Sequence, residues 1–398
     1  MSLLDTYREV TPKGTIDFLR CLAEKVRGRK ILHVNSTRVG GGVAEILRSL
    51  VPLLQDIGLE ARWEVITGTE DFFTVTKSFH NALQGQEQDL SSALLQTYVE
   101  VNQKNARNLS LDGDYVIIHD PQPAALILHK PGGGKWIWRC HIDISHPQRK
   151  VWNFLRQYVV QYDGAIFSLP RFAQRLPIPQ FLIFPSIDPL SDKNRELSTQ
   201  EQEQILDRLN IPRDKPILLQ VSRFDRFKDP LGVIQAYRLV KKHHDARLIL
   251  AGGGATDDPE GERVLTEVRQ AAQNDPDILV LLLPPDANLE INALQRAATI
   301  VLQKSLREGF GLTVAEAMWK GKPVIGGFAG GITVQLVYGV TGFTVNSPEG
   351  AAFRIHHLLE NPEVMAKMGE DAREYVRQNF LITRHLGDYL ALMHYWMN

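Results

Sequence analysis

At two points along this chain an expected strand is followed by three consecutive glycines. Ile31 to Val34 runs through Asn35-Ser36-Thr37 to Gly40-Gly41-Gly42, after which Val43, Ile46, Leu47, Leu50 and Val51 recur at helical spacing. Residues 247–251 lead in the same way to Gly252-Gly253-Gly254. Strand, glycine loop and helix in that order aim backbone N–H groups at whatever occupies the loop. Such units are the building blocks of a parallel α/β sheet. Pro52 is expected to bend or shorten the first of these helices.

The alternation covers the whole chain. In the first half the pattern predicts strands at 31–34, 61–67, 115–119, 136–140, 165–168 and 181–184, with helices near 15–26, 43–54, 90–109 and 147–160. In the second half it predicts strands at 217–221, 247–251, 278–283, 300–303 and 323–326. Helices are expected at 230–243 and 259–274, and three closing helical segments start near Pro348, Pro362 and Ile382. The polar, turn-rich stretch 185–195 reads as an interdomain linker. The expected fold is therefore α/β, with two Rossmann-like, doubly wound domains facing a deep interdomain cleft. Their expected bounds are 1–187 and 188–380, with 381–398 forming a helix that packs back on the first domain. At 398 residues the chain is long enough for two such cores.

Charge and composition narrow the function. Lys plus Arg (45) almost balances Asp plus Glu (46), so no basic footprint for a nucleic acid is present. No apolar run reaches the length that spans a bilayer, and the first residues lack a signal-peptide pattern, so no membrane partner and a cytoplasmic location are expected. Cys21 and Cys140 are the only cysteines, too few for a disulfide framework or a cysteine-rich zinc site. The dinucleotide pattern G-x-G-x-x-G starts at Gly40 and Gly42 but meets Glu45 at its third glycine, although Glu60 lies at the right distance for a ribose contact. No Walker sequence, no G-x-S-x-G elbow and no H-E-x-x-H occurs, and His243 and His244 read as a solvated helix end.

The densest chemistry lies in the stretch REGFGLTVAEAMWKGKPVIG, residues 307–326. Glu308-Gly309-Phe310-Gly311 offers a carboxylate and two glycines where backbone can approach a ligand. Thr313 reads as a helix N-cap, and Glu316 three residues on completes a capping-box pattern. Lys320, Gly321 and Pro323 are stop signals. A loop carrying an acid thus meets the positive end of a short helix, a place suited to phosphate. Arg223, directly after the strand at 217–221, and Lys228 five residues on supply a bidentate and a point positive charge. Glu316 has two readings at this point, as a cap of its own helix or as a ligand contact.

With these residues in hand, the chain resembles the retaining glycosyltransferases of the two-Rossmann (GT-B) fold, family four. The resemblance rests on the N-terminal glycine loop, on Ser222-Arg223-Phe224 with Lys228, and on two glutamates, Glu308 and Glu316, with seven residues between them. Narrower stretches, HVNSTRVGGGVAEIL, FHNALQG, HDPQPAAL, WRCHIDIS, PSIDPLSDKN and DDPEG, are similar to its trehalose-forming members, and retaining phosphorylases acting on the same sugar share several of them. The resemblance implies transfer of glucose from a nucleoside-diphosphate glucose to free glucose, reversibly, giving trehalose. It implies no cofactor, a dispensable metal and small-molecule partners; a homodimer is left open.

The implied roles follow residue by residue. Arg223 and Lys228 neutralise the donor diphosphate and the departing nucleoside diphosphate, and Glu308 accepts hydrogen bonds from the transferred glucose. Backbone of Gly309, Phe310, Gly311, Leu312 and Thr313 contacts the sugar or its phosphate, and Glu316 takes the ribose hydroxyls. Gly41 and Gly42 approach the diphosphate from the other domain, and His141 stands near the reaction centre. For the acceptor glucose, Asn35, Asp120, Arg139 and Asp143 are polar residues at expected strand ends, although an Asp beside Pro121 also has a plain turn reading. Asp229, Phe328, Tyr338 and Val340 depart from the family pattern but lie outside these contacts. The motif assigns no second carboxylate as a nucleophile, so retention is expected by front-face attack rather than through a sugar ester. The rival readings are a phosphorylase using glucose 1-phosphate and a non-catalytic two-lobed sugar-binding protein.

Overall fold

The protein is described by a computed structural model covering residues 2–253 and 259–397. Gly254 of the second glycine run and the Asp257-Asp258 pair of the DDPEG stretch lie outside the described residues. The chain forms two compact units, one holding residues up to Ser186 and those from Ile382 onward, the other Ile187–Leu381.

The first unit is built on six parallel strands, β1 (Lys30–Asn35), β2 (Glu60–Val65), β3 (Tyr115–His119), β4 (Lys135–Cys140), β5 (Gly164–Phe167) and β6 (Gln180–Leu182). Their order across the sheet is β2-β1-β3-β4-β5-β6. All five residues of β3 are buried, as expected of a central strand with helices on both faces. The helices before and between the strands are α1 (Thr15–Glu24), α2 (Gly42–Asp56), α3 (Glu70–Leu83), α4 (Ser92–Asn108) and α5 (Arg149–Val159). Two of them depart from expectation. α2 runs through Pro52 to Asp56, because Leu50, Val51, Leu53 and Leu54 are all buried and hold its last turn on the sheet despite the missing N–H. α3 has no counterpart in the sequence reading; it starts at Thr69, whose hydroxyl accepts the Phe72 N–H, and buries Phe72, Val75, Phe79 and Leu83 along one face.

The second unit repeats the plan with β7 (Ile217–Val221), β8 (Arg247–Gly253), β9 (Ile278–Leu283), β10 (Ile300–Gln303), β11 (Val324–Gly327) and β12 (Gly342–Val345), all parallel. Their order is β12-β11-β10-β7-β8-β9, the dinucleotide-type order 3-2-1-4-5-6 read from the other edge. Its helices are α6 (Thr199–Arg208), α7 (Pro230–Lys241), α8 (Pro259–Ala272), α9 (Asn288–Ala297), α10 (Leu312–Trp319), α11 (Ile332–Gln335), α12 (Pro348–Glu360) and α13 (Pro362–Asn379). On one face α7 and α12 pack side by side over a core that includes Leu218, Val233, Tyr237, Leu248, Ile325, Ile355 and Leu358. Burying each such side chain contributes roughly 1.5–3 kcal/mol. The last helix, α14 (Ile382–Met397), belongs to the first unit, where it packs against α1 and α2. Arg384 donates to the Phe184 and Pro185 carbonyls, and Tyr115 Oη donates to the Met393 carbonyl.

The stretch read as a linker is not a free one. From residue 188 on it is folded onto the second unit: Asn292 donates to the carbonyls of Asp192 and Arg195, and Lys320 Nζ to Asn194 Oδ1, so the turn's polar groups are bound rather than solvated. Among the described residues no helix is long and apolar enough to cross a membrane.

Candidate functional site

In an open parallel sheet, loops leave the carboxyl ends of neighbouring strands in opposite directions where the strand order reverses, and ligands bind in the crevice this opens. In the second unit the reversal falls between β7 and β10. The loop after β7 carries Arg223 to Lys228, and the loop after β10 carries Lys304 to Glu308. Across that point Lys228 Nζ lies 2.7 Å from Glu308 Oε2, and Ser305 Oγ donates to the same oxygen at 3.1 Å. Glu308 is 8% exposed. The Lys228 loop is fixed by its own contacts, because Asp225 caps the short 3₁₀ turn at the Lys228 N–H and Gln220 donates to the Lys228 carbonyl. Lys304 forms a close ion pair with Asp229, whose carboxylate also caps α7 at Gly232.

Gly309 to Gly311 lead from this carboxylate into α10. Gly311, at φ 82°, is the N-cap residue, a left-handed conformation open to glycine at little cost. Thr313 is therefore not the cap but lies inside the first turn of α10, which begins at Leu312, and the capping-box reading is corrected: the helix start is set by Gly311 with no side-chain cap. The loop is clamped from below. Gln335 Nε2 donates to the Phe310 carbonyl at 2.7 Å, the Gly331 N–H to the Gly309 carbonyl at 2.9 Å, and a Cβ added at Gly330 would fall 1.6 Å from the Glu308 carbonyl oxygen. The first-turn N–H groups of α10 are thereby held beside the Lys228–Glu308 pair.

Glu316 is buried on α10 and does not reach back to the helix start. One of its oxygens accepts from Gln295 Nε2 at 3.2 Å and the other lies 3.7 Å from Lys193 Nζ. Lys320, one turn on, donates to Gln295, to Asn194 and to the Glu316 carbonyl, and burial pushes its ammonium down to about 7. Arg223 stands apart from this group: its side chain is 66% exposed and paired with Asp225 Oδ2 at 3.1 Å.

In the first unit the strand order reverses between β1 and β3, and the polar residues again collect there. After β1 the chain passes Asn35, whose amide bridges Trp63 Nε1 and the Thr37 carbonyl, and reaches Gly40 and Gly41, both at positive φ, before α2 starts at Gly42. After β3, Asp120 takes φ 66° with its backbone held by Arg139 and Trp138, and its carboxylate accepts the His141 N–H at 2.7 Å. Burial raises the Asp120 carboxyl to about 7. Asp143 binds the Ser145 N–H and hydroxyl, a turn-forming pattern.

Arg139, the next-to-last residue of β4, is wholly buried: its Nη2 donates to the Ile183 carbonyl at 2.7 Å, while Nε and Nη1 have no hydrogen-bond partner. The sequence reading also missed a row of three histidines. His33 Nδ1 lies 3.0 Å from His119 Nε2, and His119 Nδ1 lies 3.0 Å from His141 Nε2. Each contact needs one N–H and one lone pair, so the tautomer at either end fixes all three. Burial lowers His33 to about 3 and holds His119 and His141 well below the usual imidazole range, so the row is neutral near pH 7. His33 and His119 sit in the HVNSTRV and HDPQPAAL stretches, but nothing in their spacing shows that they stack beside His141.

The comparisons agree with this architecture. An α,α-trehalose-phosphate synthase (UDP-forming) from Burkholderia xenovorans superposes with a TM-score of 0.73, at 13% identity, over 92% of this chain and 100% of that one. A sucrose-phosphate synthase from Thermosynechococcus elongatus gives 0.70 at 17% identity, over 92% and 99%. The description "Glycosyl transferases group 1" matches residues 201–375, the unit holding Lys228 and Glu308, and "Trehalose synthase, N-terminal domain" matches residues 33–174. The chain is a glycosyltransferase with two Rossmann-like units of the GT-B type. It is 49% identical to a trehalose synthase of Pyrococcus horikoshii over 98% of this chain and 95% of that protein, and 47% identical to one of Thermococcus litoralis over 98% and 96%. A trehalose phosphorylase of Grifola frondosa is 29% identical over 94% of this chain but only 58% of its own length. The chain belongs to the trehalose synthase family.

Proposed function

We propose that this protein transfers glucose with retention from a nucleoside-diphosphate glucose to free glucose, giving trehalose reversibly. The observation that carries the site is the Lys228–Glu308 pair across the β7/β10 switch point, beside the N-terminus of α10. In this reading Lys228, with Arg223 turned from Asp225, neutralises the diphosphate, and the N–H groups of Gly309 to Thr313 share its charge. Glu308 accepts from the glucose hydroxyls, and Glu316 exchanges its Gln295 and Lys193 contacts for the ribose. Gly41 and Gly42 serve the diphosphate from the first unit. His141 stands at the sugar, and Asn35, Asp120, Arg139 and Asp143 take the acceptor.

The bond from the anomeric carbon to the phosphate oxygen breaks, and one to the acceptor hydroxyl oxygen forms on the same face. The acceptor proton passes to the departing phosphate. Because side-chain cations and helix N–H groups serve the phosphates, transfer needs no metal and no cofactor. Two cysteines with free thiols suit a cytoplasmic setting.

Purified protein incubated with glucose and either a nucleoside-diphosphate glucose or glucose 1-phosphate tests the reading through the anion released. Nucleoside diphosphate together with trehalose, undiminished by a chelator, is expected. Inorganic phosphate from glucose 1-phosphate would make it a phosphorylase, binding without turnover would make it a sugar-binding protein, and reversible loss in chelator would overturn metal independence. A glycosyl ester trapped on Asp120 or Asp143 would overturn front-face attack.

A further inference from the structure

Far from the strand-end loops, two helices of the second unit bring imidazoles and a carboxylate together. α7 ends at Lys241 and the turn after it carries His243 and His244, while α12 presents His356 and Glu360. Spacing of four on a helix puts His356 and Glu360 on one face, and that face meets the end of α7 because the two helices pack side by side. Ligating atoms of His244, His356 and Glu360 all lie within 4.8 Å of one another. His244 Nε2 stands 3.8 Å from Glu360 Oε1. A tetrahedral ion with bonds of about 2.0–2.2 Å holds its ligand atoms roughly 3.3–3.6 Å apart, so the His244–Glu360 separation is already close to what such an ion needs.

Two details favour an ion over an accidental cluster. His244 Nε2 is shielded from solvent and has no hydrogen-bond partner, a lone pair or N–H that the fold leaves unsatisfied. The His356 ring, on the face of α12 that packs against α7, has its centroid 4.9 Å from that of His244, so the two imidazoles stand side by side. His243, whose ring centroid lies 5.2 Å from that of His356, is exposed beside the cluster.

We propose that His244, His356 and Glu360 form a binding site for one divalent transition-metal ion of the zinc type, with water in the fourth position. Two imidazoles and one carboxylate suit zinc, whereas magnesium and calcium favour all-oxygen sets. The ion ties the end of α7 to α12, at the opposite end of α7 from Asp229 and the Lys228 loop. Its role is to stabilise the second unit, since a ligand set assembled by folding binds the native chain and not the unfolded one.

Full-length protein free of affinity tags, stripped with chelator and titrated with zinc chloride in a calorimeter, tests this. One zinc per chain at micromolar or tighter Kd is expected, with a melting temperature that rises with zinc and does not respond to magnesium. His244→Gln and Glu360→Gln should each weaken binding at least tenfold while far-UV circular dichroism stays that of the parent. These two carry the test because His356 packs against both the His243 and the His244 rings where α7 meets α12, so His356→Gln also disturbs that packing. No zinc taken up by the parent, or zinc bound equally by both variants, overturns the proposal.

Discussion

Replacing Glu308 with glutamine probes the candidate site at its centre. Glutamine keeps the shape and one acceptor but removes the charge that faces Lys228 Nζ at 2.7 Å and Ser305 Oγ at 3.1 Å. Breaking a buried ion pair by removing one partner costs roughly 3–5 kcal/mol. Here the Lys228 side chain is 17% exposed and can turn its ammonium to water, and the amide oxygen still accepts one bond. The stability cost should therefore fall to about 1–3 kcal/mol, read as a lower urea midpoint at unchanged slope. Activity should fall further in proportion. In the proposed reading a charged acceptor for the transferred sugar's hydroxyls and the correct placement of Lys228 are lost together, which predicts a drop in kcat/KM of roughly 10²-fold or more, about 2.7 kcal/mol.

The comparison with Lys228→Met and the double variant supplies the sharper criterion. If the two side chains act as one unit, the double variant should lose much less than the sum of the single losses, because either change alone already disables the pair. Initial rates with varied nucleoside-diphosphate glucose at saturating glucose measure all four corners. Rates for Glu308→Gln within threefold of the parent, or a cycle additive to within about 0.5 kcal/mol, would refute the reasoning.

Gly330→Ala places a Cβ 1.6 Å from the Glu308 carbonyl oxygen at a residue with φ 46°, so the Glu308 loop must move; kcat should fall at least tenfold in the transfer assay, and an unimpaired rate would show that the loop tolerates displacement. For Asp120, raised from 3.8 to about 7 by burial, the native chain keeps a proton that the unfolded chain has released between pH 4 and 7. Its contribution is thus complete below about pH 4 and lost as pH rises through about 7, by at most about 4 kcal/mol. Asn at this position accepts the same N–H and tolerates the left-handed backbone, so Asp120→Asn should flatten the fall in stability over that range in urea titrations, and an unchanged pH slope would exclude the assignment.

The strands were legible because a parallel sheet covered on both faces demands near-continuous apolar runs, and β3 and β7 are such runs, buried at every residue. α3 was legible in principle from Thr69 followed by Glu70 and Asp71, whereas β12 begins at a glycine and is too short to register a period. The capping error at Thr313 came from weighing a side-chain signal above a backbone one: Gly311 in the left-handed region already starts α10. Arg139 falls inside the strand expected at 136–140, but the sequence does not show that its side chain is wholly buried and donates to the Ile183 carbonyl. The partners of Glu316 were invisible for a different reason. Gln295 and Lys193 reach it from separate segments, and no local spacing encodes a contact of that range.

The ion pair at the second switch point also bears on why the site can exist between turnovers. Lys228 and Glu308 lie in the same partly desolvated place, and either one alone would be a buried charge of several kcal/mol with no partner. Together they neutralise each other, and Ser305 satisfies a further lone pair of the carboxylate. In the proposed reading an arriving donor exchanges these partners rather than stripping bare charges, with diphosphate oxygens taking the ammonium while sugar hydroxyls donate to the carboxylate. Each group trades one charge-assisted hydrogen bond for another. The frame around the pair, with Gln220 on the Lys228 carbonyl and Gly330 pressed under Glu308, keeps its backbone in place through that exchange. A site arranged in this way needs little reorganisation when charge moves onto the leaving phosphate, the condition under which fixed cations and helix dipoles lower a barrier most.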